Sequence, residues 1–489
     1  MNDTQNHFDV LIIGAGLSGI GAAWHLQDRL PHKTYAILEG RAQMGGTWDL
    51  FQYPGIRSDS DMHTLGYSFR PWTDAKAIAD GPAILSYIRD TAREHGIDQK
   101  VRYGHRVEGA RWSSADARWT LSVRDVATDT LREFSCGFLF VCAGYYDYDA
   151  GYTPEFVGRE RFQGRVVHPQ HWTPDIDCTG KRVVVIGSGA TAMTLVPALA
   201  KQAAHVTMLQ RSPTYVVSLP ARDRLADGLR ALLPADTAYA VTRWKNVLLQ
   251  MASFNLARRF PERSKAFLVG QVARALGHEG NVATHFTPRY NPWDQRLCVV
   301  PDGDLFEALR AGQASVVTDH IETFTETGIR LNSGAELEAD IIVTATGLRL
   351  KFLGGVALEV DGRQIDPSTL LAYKGMMFSD VPNLAVAMGY TNASWTLKCD
   401  LTCEYVCRLL QHMEAHGYTV CRPHNDDPTL KGEALLDLAA GYVQRALDQF
   451  PRQGSRAPWR VYQNYVRDRR ALRHAAVDDG VMQFSKARG

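Results

Sequence analysis

Two glycine-rich loops, each directly after a short apolar segment, constrain the fold of this 489-residue chain more than any other feature. The first loop, residues 14–19, follows apolar residues 8–13, and the second, residues 187–192, follows residues 182–186. In such loops the first glycine allows a sharp turn out of a strand, the second lets backbone approach a pyrophosphate, and the third position lets a helix pack closely. The positions that carry the pattern are Gly14, Gly16, Gly19, Gly187, Gly189 and Ala192.

Each loop predicts a strand–turn–helix unit. The unpaired N–H groups and the dipole at the start of the helix favour a bound phosphate. Two such units in one chain indicate two dinucleotides, a flavin and a nicotinamide, between which electrons move. The alternative for each loop is a tight turn that binds no ligand.

The strand after each loop distinguishes the two ligands. Residues 34–39 end at Glu39, and a carboxylate there accepts hydrogen bonds from both ribose hydroxyls of FAD or NAD. Residues 205–212 end instead at Arg211 and Ser212, where a guanidinium suits a 2′-phosphate. We therefore predict FAD at the first loop and NADPH at the second. The alternative for Arg211 is a solvated surface arginine.

The order of the segments predicts an α/β fold in which one Rossmann-like domain is inserted into another. Residues 1–150 and 340–489 are expected to form the FAD domain, and residues 151–339 the NADPH domain. Residues 138–144 should form a strand that ends near the flavin, and the apolar residues 340–347 a strand that returns the chain to the FAD domain.

An amphipathic and basic segment, about residues 220–285, predicts a helical subdomain within the NADPH domain. It is interpreted first as a cap over the substrate and second as a surface that rests on acidic lipid, so peripheral membrane contact stays open. No run of about 20 apolar residues predicts a membrane-spanning helix, and no signal peptide is recognised. We expect a cytoplasmic protein, and its net charge of +1 gives no reason to expect nucleic acid as a partner.

The eight cysteines do not indicate a redox or metal site. No Cys-x-x-Cys pair occurs, and no closely spaced pair follows the first glycine loop, where a flavin disulfide reductase would carry its redox couple. Cys399, Cys403 and Cys407 have the spacing of one helix face, which predicts small buried side chains. No metal site is predicted.

The segment between the loops narrows the class of protein. Residues 162–172 have the spacing Phe-x-Gly-x-x-x-His-x-x-x-Trp, and residues 45–59 combine Gly-Gly-Thr-Trp with Tyr-Pro-Gly and a following aspartate. The chain thereby resembles the type I Baeyer–Villiger flavin monooxygenases. Blocks at residues 291–296 and 389–398 extend the resemblance to the subgroup of ethionamide-activating monooxygenases. The fingerprint residues are Phe162, Gly164, His168 and Trp172.

The resemblance also implies roles for individual residues. Gly46, Thr47, Trp48 and Asp59 are expected to contact the cofactors, and Arg296 to provide positive charge beside the reacting oxygen, with Asp59 holding its guanidinium. A structural salt bridge is the alternative for this pair. His168 is interpreted as a residue that couples the domains. Thr173 stands where relatives carry proline or aspartate, and Gln295 where many carry a lysine that helps hold the NADP phosphate.

The implied activity is a monooxygenase that uses FAD, NADPH and O₂ to convert apolar ketones into esters or lactones, and that also oxygenates sulfides or thioamides. One alternative is a flavin monooxygenase that makes N- or S-oxides. Another is a flavin reductase that transfers no oxygen. The chain contains no Gly-x-Ser-x-Gly sequence of the kind that would indicate a hydrolase.

Overall fold

A computed structural model of the chain describes residues 6–277, 281–436 and 438–487. The chain begins with the first nucleotide-binding unit, in which β1 is apolar along almost its whole length. Such strands are buried on both faces and require helices on each side of the sheet. The elements of this unit are β1 (His7–Ile13), α1 (Leu17–Arg29), β2 (Tyr35–Leu38), α2 (Thr47–Leu50), α3 (Met62–Leu65), α4 (Gly81–Glu94), β3 (Val101–Arg102), β4 (His105–Ser113), β5 (Arg118–Asp125) and β6 (Thr130–Val141).

The second unit follows, and it repeats the pattern of a buried strand, a glycine loop and a helix. Its elements are β7 (Arg165–Val167), β8 (Arg182–Ile186), α5 (Ala190–Leu199), β9 (His205–Gln210), β10 (Val216–Leu219), α6 (Arg224–Leu232), α7 (Ala235–Arg259), α8 (Pro261–Leu276), α9 (Val282–His285), β11 (Cys298–Pro301), α10 (Asp304–Arg310), β12 (Ala314–Thr318), β13 (Ile321–Phe324), β14 (Gly328–Leu331), β15 (Glu336–Glu338) and β16 (Ile341–Thr344).

The last part of the chain returns to the first unit and packs against it. Its elements are β17 (Ala357–Val360), β18 (Arg363–Gln364), β19 (Ala372–Tyr373), β20 (Met377–Phe378), β21 (Leu384–Val386), α11 (Trp395–His416), β22 (Val420–Pro423), β23 (Gly432–Ala434), α12 (Gly441–Gln444), β24 (Arg452–Gly454), α13 (Tyr465–Arg469) and β25 (Met482–Ser485).

Two separate sheets organise these elements. The first has the order β18-β17-β4-β5-β6-β1-β2-β3, with β21 also paired to β6, and the second has the order β12-β9-β8-β16-β7. The second sheet is parallel throughout. All its strands come after β6 and before β17 along the chain, so the second sheet is inserted in sequence between strands of the first. The predicted α/β fold with an inserted nucleotide-binding unit is therefore confirmed.

One predicted strand belongs to a different sheet than expected. Residues 341–344 do form an apolar strand, β16, but it pairs with β8 and β7 and so lies inside the second sheet. The chain therefore returns to the first unit only after Thr344, through residues 345–356. A run of apolar residues predicts a buried strand, but it does not specify which neighbours the strand pairs with.

The predicted helical segment is present as helices α6 to α9, although residues 278–280 lie outside the described residues. The inner face of α7 covers residues 61–66, since buried Arg243 donates hydrogen bonds to the carbonyls of His63 and Gly66 at 2.9 and 2.8 Å. Its outer face leaves Leu248, Leu249 and Leu256 exposed. The cap over the substrate therefore stays a prediction, as does its alternative.

Helix α11 carries the three cysteines on a buried face, as their spacing predicted. All three side chains are free thiols, and burial raises the pKa of Cys399 and of Cys407 to about 12. Among the described residues no helix is long and apolar enough to cross a membrane. The cytoplasmic location and the alternative of contact with lipid both stay predictions.

We predict that Asn383→Ala destabilises the first unit. Asn383 is 2% exposed, its backbone φ is +46°, and its amide bonds the carbonyls of Gly137 and Thr419 and the N–H of Cys421 at 2.7–2.8 Å. Loss of these bonds and the strained φ of alanine should lower the free energy of unfolding by about 2–4 kcal/mol. Urea unfolding followed by far-UV circular dichroism measures this.

Asn332→Ala is the matched control, because Asn332 is exposed and makes no side-chain hydrogen bond in the described part of the chain. Equal unfolding midpoints for the two variants would contradict the assigned role of Asn383.

Candidate functional site

A central cavity of about 550 Å³ lies where the two nucleotide-binding units face each other. The first unit contributes its glycine loop, Glu39 and residues 45–60, and the second contributes the start of α5 and the loop that carries Arg296. The two segments that connect the units, which include residues 142–149 and 345–356, also reach it. The cavity is therefore bordered by the first glycine loop, by Glu39, by residues of the segment 45–59 and by Arg296, but not by the end of β9 or by the helical segment 220–285.

The first glycine loop has a shape that side chains would obstruct. Gly14 has a backbone φ of +98°, and a Cβ atom on Gly19 would lie 1.9 Å from the carbonyl oxygen of Gly14. Helix α1 begins after Gly16 without any side-chain cap. The N–H groups of its first turn are thus available at the wall of the cavity, as a pyrophosphate requires.

Glu39 lies at the end of β2 and borders the same cavity. Its carboxylate accepts hydrogen bonds from the backbone N–H of Ala15 at 2.8 Å and of Arg41 at 2.9 Å. Burial raises the pKa of Glu39, although these two hydrogen bonds oppose the shift. A carboxylate has about four acceptor positions, so two remain for a vicinal diol such as that of ribose.

Sequence reasoning missed the cations beside Glu39. Arg41 borders the cavity, and its guanidinium pairs with Asp49 at 2.8 Å, while Arg89 binds the other oxygen of Asp49 at 2.9 Å. The only signal in the sequence was an arginine two residues after the strand-end acid. The arrangement places a fixed guanidinium beside the Glu39 carboxylate.

The segment Gly46-Thr47-Trp48 forms a second wall next to the glycine loop. Gly46 has a φ of +56°, and a Cβ atom there would lie 3.0 Å from the Cα of Gly16. The hydroxyl of Thr47 is 3.1 Å from that of Tyr148, on the connecting segment. Burial raises the pKa of Tyr148 to about 12, so the phenol stays protonated. All three predicted residues line the cavity.

Asp59 and Arg296 meet in the cavity, as the resemblance implied. Arg296 Nη1 lies 3.4 Å from Asp59 Oδ2, and each side chain is about one third exposed, at 33% and 37%. Asp59 comes from the first unit, and Arg296 from the loop before β11 in the second. The pair therefore joins the two units across the cavity.

Three tyrosines that sequence reasoning did not find surround Arg296. Burial acts to lower the pKa of Arg296, but Tyr145 and Asp59 outweigh it, with smaller contributions from Tyr442 and Tyr146, so the pKa lies above its ordinary value. The guanidinium is thus a permanent positive charge. Its Nε makes no hydrogen bond within the described chain.

The second glycine loop also fits a nucleotide but lies at the edge of the cavity. Gly187 has a φ of +136°, and a Cβ atom there would lie 2.3 Å from the carbonyl oxygen of Ala345. A Cβ on Gly189 would meet no atom within 4 Å, so its surface is open to a ligand. Ala192 is buried under β8. Of this loop and its helix, Ala190, Thr191 and Thr194 line the cavity, whereas Gly187 and Gly189 do not.

Arg211 and Ser212 lie outside the cavity, on the exposed surface after β9. The side chain of Arg211 has neither an ion pair nor a hydrogen bond in the described ranges. The carbonyl of Ser212 accepts a hydrogen bond from Ser188 Oγ at 3.0 Å, which ties this segment to the second glycine loop. A free guanidinium beside the loop is consistent with a site for a 2′-phosphate.

His168, which follows β7, bonds the second connecting segment and packs on the first, since a Cβ atom on Gly151 would lie 2.0 Å from its ring. Its Nε2 lies 3.2 Å from the carbonyl of Gly347, and its Nδ1 accepts from the backbone N–H of Gln170 at 3.1 Å. Burial lowers the pKa of His168, so the neutral ring makes both bonds.

These bonds of His168 depend on pH, because protonation would remove the acceptor at Nδ1. The stabilisation is therefore complete above about pH 6.5, the ordinary pKa of histidine, and declines as the pH falls below it.

The other fingerprint residues have packing roles. Phe162 is buried beside Phe324, and a Cβ atom on Gly164 would lie 2.4 Å from the carbonyl oxygen of Asp340. Trp172 packs, half-buried, against the core of the second unit. His168 is the fingerprint residue that borders the cavity. Among the described residues no group of acidic, histidine or cysteine side chains could hold a metal ion.

The C-terminal part of the chain adds aromatic side chains to the cavity that sequence reasoning left without a role. Trp395 Nε1 donates to Ser18 Oγ at 2.8 Å, which ties the start of α11 to the start of α1. The hydroxyl of Tyr390 donates to Asp468 at 2.7 Å, and Asp468 pairs with Lys398 at 2.9 Å. Tyr390 and Trp395 both line the cavity.

Comparison with known proteins agrees with this architecture. Residues 78–391 match the family model described as flavin-binding monooxygenase-like, and residues 12–80 match an NAD(P)-binding Rossmann-like domain. The FAD-containing monooxygenase EthA of Mycobacterium tuberculosis is 56% identical over 98% of each chain. The probable FAD-binding monooxygenase AlmA of Acinetobacter baylyi is 48% identical over 99% of this chain and 97% of its own.

Solved structures of other proteins show the same architecture. An oxidised steroid monooxygenase bound to NADP is 25% identical, with a TM-score of 0.72 over 86% of this chain and 88% of its own. The open structure of cyclohexanone monooxygenase is 19% identical, with a TM-score of 0.75 over 99% and 100%, and so shares the fold.

We predict that His168→Ala loosens the contact between the two connecting segments. Loss of two hydrogen bonds should make the amide hydrogens of Tyr152 and Gln170 exchange about 2- to 10-fold faster per bond lost. Hydrogen–deuterium exchange read by mass spectrometry measures this. His171→Ala is the control, because His171 is exposed and its ring makes no hydrogen bond in the described residues. Unchanged exchange in His168→Ala would reject the coupling role.

Proposed function

The chain belongs to the flavin-binding monooxygenase-like family, and we propose that it is a Baeyer–Villiger monooxygenase that inserts one oxygen atom of O₂ next to the carbonyl of apolar ketones. Ketone, O₂, NADPH and a proton would give ester or lactone, NADP⁺ and water. The observation that carries this proposal is the permanent positive charge of Arg296, held by Asp59 inside a cavity shared by two nucleotide-binding units.

FAD and NADPH are the cofactors, and the residues present fit both. The first loop, Glu39 and residues 46–48 would hold FAD, since their glycines leave the required space and Glu39 has free acceptor positions. The second loop, Arg211 and Ser212 would hold NADPH. When bound, these cofactors supply the reducing equivalents and the activation of O₂, which no amino-acid side chain provides.

Arg296 would stabilise the negative charge that develops on the carbonyl oxygen when the ketone carbon is attacked. Preorganised charges of this kind are effective because they need no reorganisation during the reaction. Asp59 would act through Arg296 as a positioning residue that fixes the guanidinium. The surrounding aromatic rings of Tyr145, Tyr390 and Trp395 would exclude water from the reacting groups.

The lining of the cavity supports an apolar substrate. Beside Arg296 it presents apolar and aromatic side chains from both units and from the C-terminal part of the chain. They include Leu65, Tyr145, Val299, Leu353, Ala393 and Trp395. We therefore propose ketones with aliphatic or aromatic substituents as substrates, with sulfides and thioamides as further ones.

Product analysis tests this function against its alternatives. The purified holoenzyme is incubated with NADPH and 2-octanone under air, and the extract is analysed by gas chromatography. Hexyl acetate or methyl heptanoate supports the proposal. An enzyme that forms only sulfoxide from thioanisole would be an S-oxygenating monooxygenase instead. If NADPH is consumed, O₂ is reduced to hydrogen peroxide, and neither substrate is oxygenated, the protein would be a reductase that transfers no oxygen.

We predict that Arg296→Ala lowers the rate of ester formation by about 100-fold or more, because removal of one preorganised charge or donor costs this much in comparable sites. The reduction of FAD by NADPH, followed by stopped-flow absorbance, should persist. Arg258→Ala is the control, since Arg258 is an exposed arginine that pairs with Asp294 at 2.8 Å in the same region. Full ester formation by Arg296→Ala would overturn the assigned role.

We predict that Arg211→Ala raises the KM for NADPH by about 10-fold or more and leaves the KM for NADH unchanged, because the 2′-phosphate loses a charged hydrogen bond. Steady-state kinetics with both nucleotides measures this. Lys201→Ala, an exposed cation after the far end of α5, serves as the control. An unaltered preference for NADPH over NADH in Arg211→Ala would assign the 2′-phosphate to other residues.

A further inference from the structure

A second cavity, the arginine cavity, has a volume of about 310 Å³ and shares no lining residue with the central cavity. It lies between residues 68–71, the first turns of α7, and α13 with the segment that follows it. Its lining combines three arginines and one exposed aspartate, Asp236, with four aromatic side chains. The arginines and aromatic residues are Arg243, Arg469, Arg473, Phe69, Tyr239, Trp244 and Tyr465. Nothing in the proposed oxygenation uses these residues.

The three arginines differ in how their charge is balanced. Arg243 pairs with buried Asp400 at 3.3 Å, and Arg473 forms a two-point ion pair with buried Glu404. Arg469 has no acidic partner within 4 Å in the described residues. Its Nε is shielded from solvent and makes no hydrogen bond. A buried donor without an acceptor is costly, so this atom favours a ligand that brings an acceptor.

The aromatic side chains indicate what kind of group, besides an acceptor for Arg469, a ligand of this cavity would carry. The guanidinium of Arg469 lies 5.5 Å from the centre of the Trp244 ring, and the Trp244 and Tyr465 rings are 5.6 Å apart. Phe69 and Tyr239 complete an apolar surface beside the cation. The cavity is small, its exposed Asp236 carries a negative charge, and Arg469 is the lining guanidinium that no acidic side chain of the described residues pairs with. Such a site suits one carboxylate attached to an apolar body better than a polyphosphate, which would bring several negative charges.

We propose that the arginine cavity binds a monocarboxylate with an apolar or aromatic body, the carboxylate lying on Arg469 and the body against Trp244 and Tyr465. Such a ligand would contact both α7, which covers residues 61–66, and α13, whose Asp468 accepts a hydrogen bond from Tyr390. The proposal does not rest on the oxygenase function, because its test measures binding and no turnover.

The test is isothermal titration of the holoenzyme, saturated with NADP⁺, with 4-phenylbutyrate. We expect Arg469→Gln to weaken binding about 10-fold or more, since a charge-assisted hydrogen bond is lost, and Arg467→Gln to leave it unchanged. Arg467 lies on the same helix but is exposed, and it does not line the cavity. The uncharged 4-phenylbutanamide should bind the wild type about as weakly as the carboxylate binds Arg469→Gln.

A second measurement locates the site independently of any variant. The photoreactive carboxylate 4-benzoylbenzoate is irradiated with the holoenzyme, and labelled peptides are identified by mass spectrometry. Label in the peptides that contain Tyr239–Trp244 or Tyr465 supports the proposal. Labelling confined to residues 142–149 of the central cavity would overturn it. Equal affinity of Arg469→Gln and wild type, or no binding up to about 1 mM, would overturn it as well.

Discussion

The double connection between the two nucleotide-binding units is the constraint on which the rest of the structure depends. The chain leaves the first sheet after β6, builds the second sheet, and returns after β16, so two segments cross side by side. They are bonded to each other, with the Tyr152 N–H on the Gly347 carbonyl at 3.0 Å and the Lys351 N–H on the Tyr145 carbonyl at 2.9 Å. His168 adds its side chain to this contact. These bonds help to fix the position of the second unit relative to the first.

Charge pairs across the cavity complete this arrangement. Arg57 of the first unit binds Asp304 at the start of α10, and Asp59 binds Arg296. Partly exposed ion pairs contribute only about 0–1 kcal/mol to stability. These pairs therefore act mainly by holding the charged side chains in fixed positions. The Asp59–Arg296 pair orients a guanidinium that stays charged, because its pKa lies above its already high ordinary value. The same pair that joins the units therefore places a permanent cation at the cavity, as the proposed oxygen transfer to a carbonyl requires.

Much of the fold could be predicted because it depends on local patterns. The two strand–loop–helix units, the buried cysteine face of α11 and the helical segment follow from glycine positions and periodicity. The resemblance added the meeting of Asp59 with Arg296. Contacts between distant segments could not be predicted from the sequence. Examples are the pairing of β16 within the second sheet and the positions of Tyr145, Tyr146 and Tyr442 near Arg296. No local pattern marks such neighbours, because tertiary packing alone brings them together.

Isotopically labelled O₂ shows whether this cavity transfers an oxygen atom to a carbonyl substrate, as we propose. The holoenzyme is supplied with NADPH and 2-octanone under ¹⁸O₂, and the products are analysed by mass spectrometry. We expect an ester with one ¹⁸O atom in the bridging position, formed in step with NADPH consumption. Labelled hydrogen peroxide without labelled ester, across a series of linear, cyclic and aromatic ketones, would contradict it.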